Sequence, residues 1–270
     1  MRSAQRQEYL LQKAQENNFV SISETAKVLE TSIETVRRDI NLLCQKGQLK
    51  KVHGGAAPVK LLMRKDADFM TRIHENQQAK LSICREAVKM IRDGDVVTMD
   101  SGATCYVLAS CISGIRDVTF VVNSLRIAAL LMDKLRAGDF TGRVILLGGE
   151  LDAKNFMTYD AETVDELRNY HFHIAFVSCT SLNWDSVANS YSSTGVLLRR
   201  IMEQSNVCVL ITDSDKIEKN SVYTFAKPTQ FQRIIVDNQK PIPADLLNAL
   251  QKSDTELTVV PCEEGGYDGE

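Results

Sequence analysis

The sequence contains no Cys-x-x-Cys pair, no Gly-x-Gly-x-x-Gly run and no apolar stretch approaching a membrane span. Its seven cysteines, at 44, 84, 105, 111, 179, 208 and 262, are odd in number, scattered and mostly set among apolar neighbours. That usage reads as reduced, buried thiols, not a disulfide framework. Cys105 and Cys111 do not stack on one helical face, and no His follows at ligand spacing, so no metal site and no cofactor is expected. His171 and His173 alternate on a strand edge and read as solvated or hydrogen-bonded side chains. Without a glycine fingerprint joining a strand to a helix, a nicotinamide dehydrogenase is disfavoured. The longest apolar run, Ile127 to Met132, is far shorter than the roughly 20 residues a spanning helix needs. The N-terminus is polar rather than signal-like, so a soluble, cytoplasmic protein is expected.

What is present has ordinary globular proportions, with 44% hydrophobic and 25% charged residues, which argues against disorder. At 270 residues the chain suits a small module joined to a larger domain. The net charge of −3 hides an asymmetry: residues 1–60 carry 10 Lys and Arg against 6 Asp and Glu, net +4, and the remainder 22 against 29, net −7. A basic head on an acidic body suits an anionic polymer as partner of the head alone.

In the head, the spacing predicts a helix from Ser3 to Asn17 and a short strand at Phe19-Val20. Ser21 with Glu24 forms a capping-box pattern opening a second helix, in which Ala26, Val28 and Leu29 face inward. After a turn at Glu30-Thr31, Ser32 caps a third helix whose buried stripe is Ile33, Val36, Ile40 and Leu43, leaving Glu34, Thr35, Arg37, Arg38 and Asn41 outside. Hydroxyls and guanidinium groups on the exposed N-terminal half of such a helix match base edges and phosphates in the major groove. Leu49 to Gly55 reads as a wing strand and glycine turn, setting Lys50, Lys51 and His53 against the backbone or minor groove. The candidate DNA-facing residues are therefore Ser21, Ser32, Glu34, Thr35, Arg37, Arg38, Lys50, Lys51, His53 and Gly54.

These same residues carry a family resemblance. Val20-Ser21-Ile22, Ser32-x-x-Thr35-Val36-Arg37-Arg38-Asp39-Ile40 and His53-Gly54-Gly55-Ala56 resemble the DNA-binding head of the DeoR family of bacterial transcriptional regulators. The resemblance implies operator binding, with Ser32, Thr35, Arg37 and Arg38 in the major groove.

Beyond the head, apolar strands at Val96–Met99, Thr119–Val122, Val144–Leu147, Ile174–Ser178, Val207–Thr212 and Arg233–Val236 alternate with helices at 80–91, 104–111, 125–135 and 196–204. Continuous apolar strands between helices predict a mainly parallel sheet covered on both faces, hence an α/β fold. Ligands of such sheets bind outside the strands' carboxyl ends. The polar turns Asp100-Ser101-Gly102-Ala103-Thr104, Asn123-Ser124, Gly148-Gly149 and Asp213-x-x-Lys216 fall there. Hydroxyls, glycine-permitted backbone approach, free helix N–H groups and a lysine together suit a phosphate.

Lys80, Asp93-Gly94-Asp95 and these turns also resemble the DeoR sensor domain, which is similar to ribose-5-phosphate isomerase. The resemblance implies a phosphorylated sugar effector held at Lys80, Asp100–Thr104, Asn123-Ser124 and Lys216. It departs from the family pattern at Ala103, where Thr is usual, at Met157–Asp160 and Val177–Ser181, which lack a usual glycine, and at Ser193–Gly195, which lacks an acid. The run Val196-Leu197-Leu198-Arg199-Arg200 has no carboxylate for a sugar-phosphate isomerase, so regulation is expected over catalysis, with enzyme and transcriptional activator as alternatives. The expected division is a winged helix-turn-helix domain at 1–58, a linker at 59–79, an effector-sensing domain at 80–260 and a disordered acidic tail at 261–270. The protein is expected to be a homo-oligomer, dimer or tetramer, that binds double-stranded DNA and does not associate with membranes.

Overall fold

A computed structural model describes residues 3–17, 19–46, 48–52, 55–58 and 69–262, and the chain divides into two compact units, Met1–Asp66 and Ala67–Glu270. The candidate residues His53 and Gly54, and the tail beyond residue 262, lie outside the described residues.

In the first unit a helix, Ser3–Asn17, leads into strand β1, Val20–Ser21. Two helices follow, Ile22–Val28 and Ile33–Gln45, and then strands β2, Leu49–Val52, and β3, Gly55–Pro58. The strands form one antiparallel sheet with β3 between β1 and β2, so the wing hairpin is tied to the segment before the second helix. A side chain at Gly55 would meet the Val20 carbonyl oxygen at 2.0 Å, which is why that crossing takes a glycine. Leu10, Ala14, Val20, Ala26, Val36, Ile40, Leu43, Leu49 and Ala56 form the core.

Two residues expected inside this core are outside it. Val28 is 59% exposed, because it lies two residues, about 200°, beyond the buried Ala26 on a helix of 3.6 residues per turn. Thr25 fills the inward position in its place. Ile33 shares the angular stripe of Val36 and Ile40 yet is 51% exposed. As the first helical residue, its side chain leans back past the helix end, away from the packed turns.

The second unit is built on seven parallel strands. In chain order these are β4, Val96–Met99; β5, Val118–Val122; β6, Gly142–Leu146; β9, Phe172–Val177; β12, Ser205–Thr212; β14, Arg233–Asp237; and β15, Glu256–Val260. They lie in the order β15-β14-β12-β9-β4-β5-β6. Both faces are buried, and residues alternate between them. Phe120, Phe176, Val209 and Ile235 pack with the helices Gln77–Val88, Ala103–Ser110 and Leu125–Ala137. Val121, Val177, Leu210 and Ile234 pack with Ser192–Glu203 and Ala244–Gln251. This two-sided burial is what makes the strands read as unbroken apolar runs.

The expected α/β architecture therefore holds, with elements the periodicity did not indicate. These are β15 and its helix, a hairpin of β7, Leu151–Asp152, and β8, Met157–Thr158, and a small sheet of β10, Ser181–Leu182, β11, Val187–Asn189, and β13, Tyr223–Ala226. The helix Phe69–His74 buries Phe69 and Ile73 against Ala103.

From β4 the chain moves outward through β5 and β6, then returns to the other side of β4 at β9 and continues outward through β12, β14 and β15. Strands β4 and β9 are adjacent, but their onward connections run in opposite directions. A crevice opens beyond the carboxyl ends of such a pair.

Candidate functional site

In the first unit, Ser32 is the N-cap of the helix Ile33–Gln45: its Oγ accepts the Thr35 N–H at 3.1 Å and lies 2.8 Å from Thr35 Oγ1. Ser21 caps the preceding helix in the same way, accepting the Glu24 N–H at 3.3 Å. Glu34, Arg37 and Arg38 are exposed. Arg37 pairs with Glu34 at 3.0 Å, a solvated contact that leaves the guanidinium free to exchange partners at little cost. Lys51 is exposed on β2; the backbone of Lys50 lies beside it in the same strand.

Asp39, the acid that ends the Thr-Val-Arg-Arg-Asp run, is buried. It accepts hydrogen bonds from Ser3 Oγ at 2.9 Å, Arg6 Nε at 2.8 Å and Gln7 Nε2 at 3.3 Å, clamping the first helix to the third. Burial alone would raise its carboxyl. The hydrogen bonds from Arg6, Ser3 and Gln7, with the Arg6 charge, overcome that and hold it below its ordinary value. The signal was legible: Asp39 is three residues from Val36 and four from Leu43, on the buried face.

In the second unit the carboxyl ends of the strands converge as the topology requires. Asp100, directly after β4, is buried and uses both carboxylate oxygens. Oδ1 accepts the Gly102 N–H at 2.7 Å, and Oδ2 accepts the Ser178 N–H at 2.6 Å and the Ser178 hydroxyl at 2.8 Å. Asp100 thus locks the turn of β4 to the end of β9 across the switch point. A side chain at Gly102 would meet Ser178 Oγ at 2.2 Å and Asp100 Oδ1 at 2.8 Å. The next helix makes its first internal bond from the Tyr106 N–H to the Gly102 carbonyl, so the amides of Ala103, Thr104 and Cys105 have no helical acceptor. Thr104 is buried, and the Ser101 hydroxyl donates to Met157 Sδ at 2.9 Å, bringing the β7–β8 hairpin onto the turn. Ala103, one hydroxyl short of the family pattern, packs with Phe69, Ile73 and Phe156 instead.

At the end of β5, the Asn123 side-chain amide donates to the Thr158 carbonyl at 3.0 Å, while its Oδ1 is buried without a hydrogen-bond partner. Ser124 caps the following helix at Ile127 N–H. Gly148 and Gly149 stand at the base of another helix: the Gly148 carbonyl accepts from Thr163 Oγ1 at 2.7 Å, and Gly149 has φ 132° with no room for a side chain beside Thr163 and Asp160.

After β12, Asp213 accepts from Asn76 Nδ2 at 3.1 Å through Oδ1, and its Oδ2 is buried without a partner. Asp237 at the end of β14 positions this loop by accepting the Ser214 N–H and hydroxyl, each at 2.7 Å. Lys80 is 4% exposed; its ammonium donates to the Glu75 carbonyl at 2.5 Å and to the Arg72 carbonyl. Burial pushes it down to about 8, nearby Lys216 and Arg72 push the same way, and Asp213 and Glu75 oppose them. The ammonium of half-buried Lys216 makes no hydrogen bond or ion pair with another described residue. Lys80 is therefore a neighbour of Asp213 and Lys216, although more than a hundred residues separate it from them in the chain. Cys179, just after β9, has its thiol pushed up to about 12, chiefly by burial, and senses Lys216, Asp213 and Asp100.

Sequence reasoning found the turns but not Asn76, Ser178 or Asp237, which come from elements it gave no role. Only Ser178 carried a hint, as a hydroxyl just past an apolar strand.

The family described as "DeoR-like helix-turn-helix domain" matches residues 6–60, and "DeoR C terminal sensor domain" matches residues 75–238. The chain is 30% identical to an L-fucose operon activator of Haemophilus influenzae, over 87% of this chain and 92% of that one. It is 24% identical to the HTH-type transcriptional repressor GlcR of Bacillus subtilis, over 95% of this chain and 96% of that one. A solved ribose 5-phosphate isomerase of Methanocaldococcus jannaschii is similar over 53% of this chain and 55% of that one, at 18% identity and a TM-score of 0.37, a likeness too slight to bear on chemistry. With a capped helix that exposes Arg37 and Arg38 ahead of a parallel sheet whose β4 and β9 ends are joined at the switch point, this chain belongs to the DeoR family of DNA-binding transcriptional regulators.

Proposed function

We propose that this regulator represses genes of carbohydrate metabolism and leaves its operators when a phosphorylated sugar occupies the crevice. One observation carries the reading: two cationic side chains, Lys80 and Lys216, stand beside Asp213, whose Oδ2 is buried without a partner, and Asn123 Oδ1 at the end of β5 is a second buried acceptor without one. Cations and unfilled helix amides suit a phosphate, and buried acceptors suit hydroxyl donors, which is the polarity of a sugar phosphate. The names of relatives support it, since GlcR is a repressor and another relative is named a putative aga operon repressor. The L-fucose operon activator is the observation in favour of activation by the same architecture.

The segment 69–76 offers a route of communication. Two of its carbonyls hold Lys80, and its last residue, Asn76, in a left-handed conformation, binds Asp213 and Asp215 at 3.1 and 2.8 Å. A ligand that recruits Lys80 and Asp213 competes for these contacts, and residues 59–68 join the segment directly to the head. Release follows only if the ligand binds the DNA-incompetent arrangement better. The protein acts as a homo-oligomer, dimer or tetramer, whose symmetry matches operator half-sites.

Turnover of the sugar is not part of this reading: the run Val196-Leu197-Leu198-Arg199-Arg200 supplies no carboxylate base, and Asp100 is engaged by three donors as a strut between β4 and β9. The test is fluorescence anisotropy of the full chain on genomic fragments selected by footprinting, with and without a panel of pentose and hexose phosphates. At least one sugar phosphate should lower operator affinity and raise the melting temperature. A panel that moves neither quantity, or a sugar phosphate that is isomerised, refutes the reading.

A further inference from the structure

Beside the crevice two arginines converge on one aromatic pair. The Arg126 guanidinium lies 3.9 Å from the Phe156 ring centroid and 5.8 Å from that of Phe69. Arg72 lies 5.7 Å from the Phe69 centroid and donates to Asn155 Oδ1 at 3.1 Å. The Nε of each arginine is buried and has no hydrogen-bond partner. Neither forms an ion pair with a carboxylate among the described residues. Ring faces offer such cations part of the stabilisation that water would give, but they satisfy no N–H. A buried N–H left unpaired loses its bond to water without replacement, so two in one place are unusual for packing alone.

The pair is joined to the crevice by short links. Phe156, under Arg126, adjoins Met157, whose sulfur takes the Ser101 hydroxyl. Arg126 follows Asn123 by three residues, and Arg72 holds Lys80 through its carbonyl. The cations therefore form an arc from Lys216 through Lys80 and Arg72 to Arg126, more positive charge than one phosphate requires. Arginine forks suit a planar carboxylate, which they can grip with two parallel hydrogen bonds.

We propose that Arg72 and Arg126 form a second anion subsite for the same effector. The ligand class is then a phosphorylated sugar acid, with its phosphate at the turn of residues 100–104 and its carboxylate at the arginines. The proposal rests on the effector reading above and narrows it.

Calorimetric titration of the full chain with three probes tests it: a 6-phosphoaldonate, the matching neutral aldose 6-phosphate and a hexose 1,6-bisphosphate. Charge-assisted hydrogen bonds predict that the 6-phosphoaldonate binds roughly tenfold or more tightly than the aldose phosphate. Arg126→Met, which keeps the apolar contact with Phe156, should erase that difference while leaving aldose phosphate affinity within about twofold of the parent. Arg72→Met is the second variant should Arg126→Met fail to fold, as judged by its circular dichroism melt. A bisphosphate that binds as tightly as the 6-phosphoaldonate, and loses as much in the variants, keeps the subsite but overturns the sugar-acid assignment. Equal affinity for all three probes, or a preference that survives both variants, overturns the subsite and leaves the effector reading standing. Binding of none overturns both.

Discussion

Asp39→Asn is the sharpest probe of how the head is held together. The carboxylate is buried and takes three side-chain donors from the first helix, one of them the Arg6 guanidinium at 2.8 Å. Removing one partner of a buried charge pair costs about 3–5 kcal/mol. Asparagine keeps the shape and one acceptor oxygen, so about 2–3 kcal/mol is expected of this variant. Because the folded carboxyl lies below its ordinary value, the pair stabilises the head fully above the unfolded carboxyl's value, near pH 4, and that contribution is lost as the pH falls through the lower folded one. Hydrogen exchange of the amides of Ile33–Gln45 is the assay, read from neutral pH down to about 3. The parent should lose protection over the acid range, whereas the variant should begin less protected and change less. Operator affinity should fall with it, although Asp39 itself is buried. Equal protection at neutral pH and the same acid dependence in both proteins would refute the clamp.

Three further outcomes follow. Arg38→Ala should weaken operator binding by about 1–3 kcal/mol if it reads a base, whereas Lys51→Ala should lower the salt slope by about one if it touches phosphate; footprint titrations at several ionic strengths separate the two. Gly102→Ala places a methyl group 2.2 Å from Ser178 Oγ and should abolish effector-dependent release while sparing operator binding, as read by anisotropy with and without ligand. Effector affinity should decline as the pH rises through about 8, because Lys80 loses its proton there and with it its attraction for an anion. Calorimetry in buffers of different ionisation enthalpy should show proton uptake on binding near that pH, and Lys80→Met should remove it.

Most of the sheet was legible because strands buried on both faces carry continuous apolar runs, as Phe120–Val122 and Ile174–Val177 do. Edge strand β15 escaped notice because Glu256–Val260 is half-exposed and alternates irregularly, and the two-residue strands β7 and β8 are too short to show a period. In the head, Ser32 and Ser21 announced their caps through local hydrogen-bonding chemistry, which depends on residues three apart and little else. Val28 and Ile33 misled because apolar character records what a residue tolerates, while burial also requires a neighbour on that side of the helix.

The sequence by itself determined the kinds of element, the helix caps, the basic head and the polar turns after the strands, since each depends on spacings of a few residues. Only the tertiary structure decided what those turns became: Asp100 a strut to Ser178, Lys80 a buried neighbour of Asp213 and Lys216, Arg72 and Arg126 a pair on one aromatic cluster. These partners are tens of residues or more apart, and what sets them side by side is the order of strands in the sheet, to which local spacing is blind.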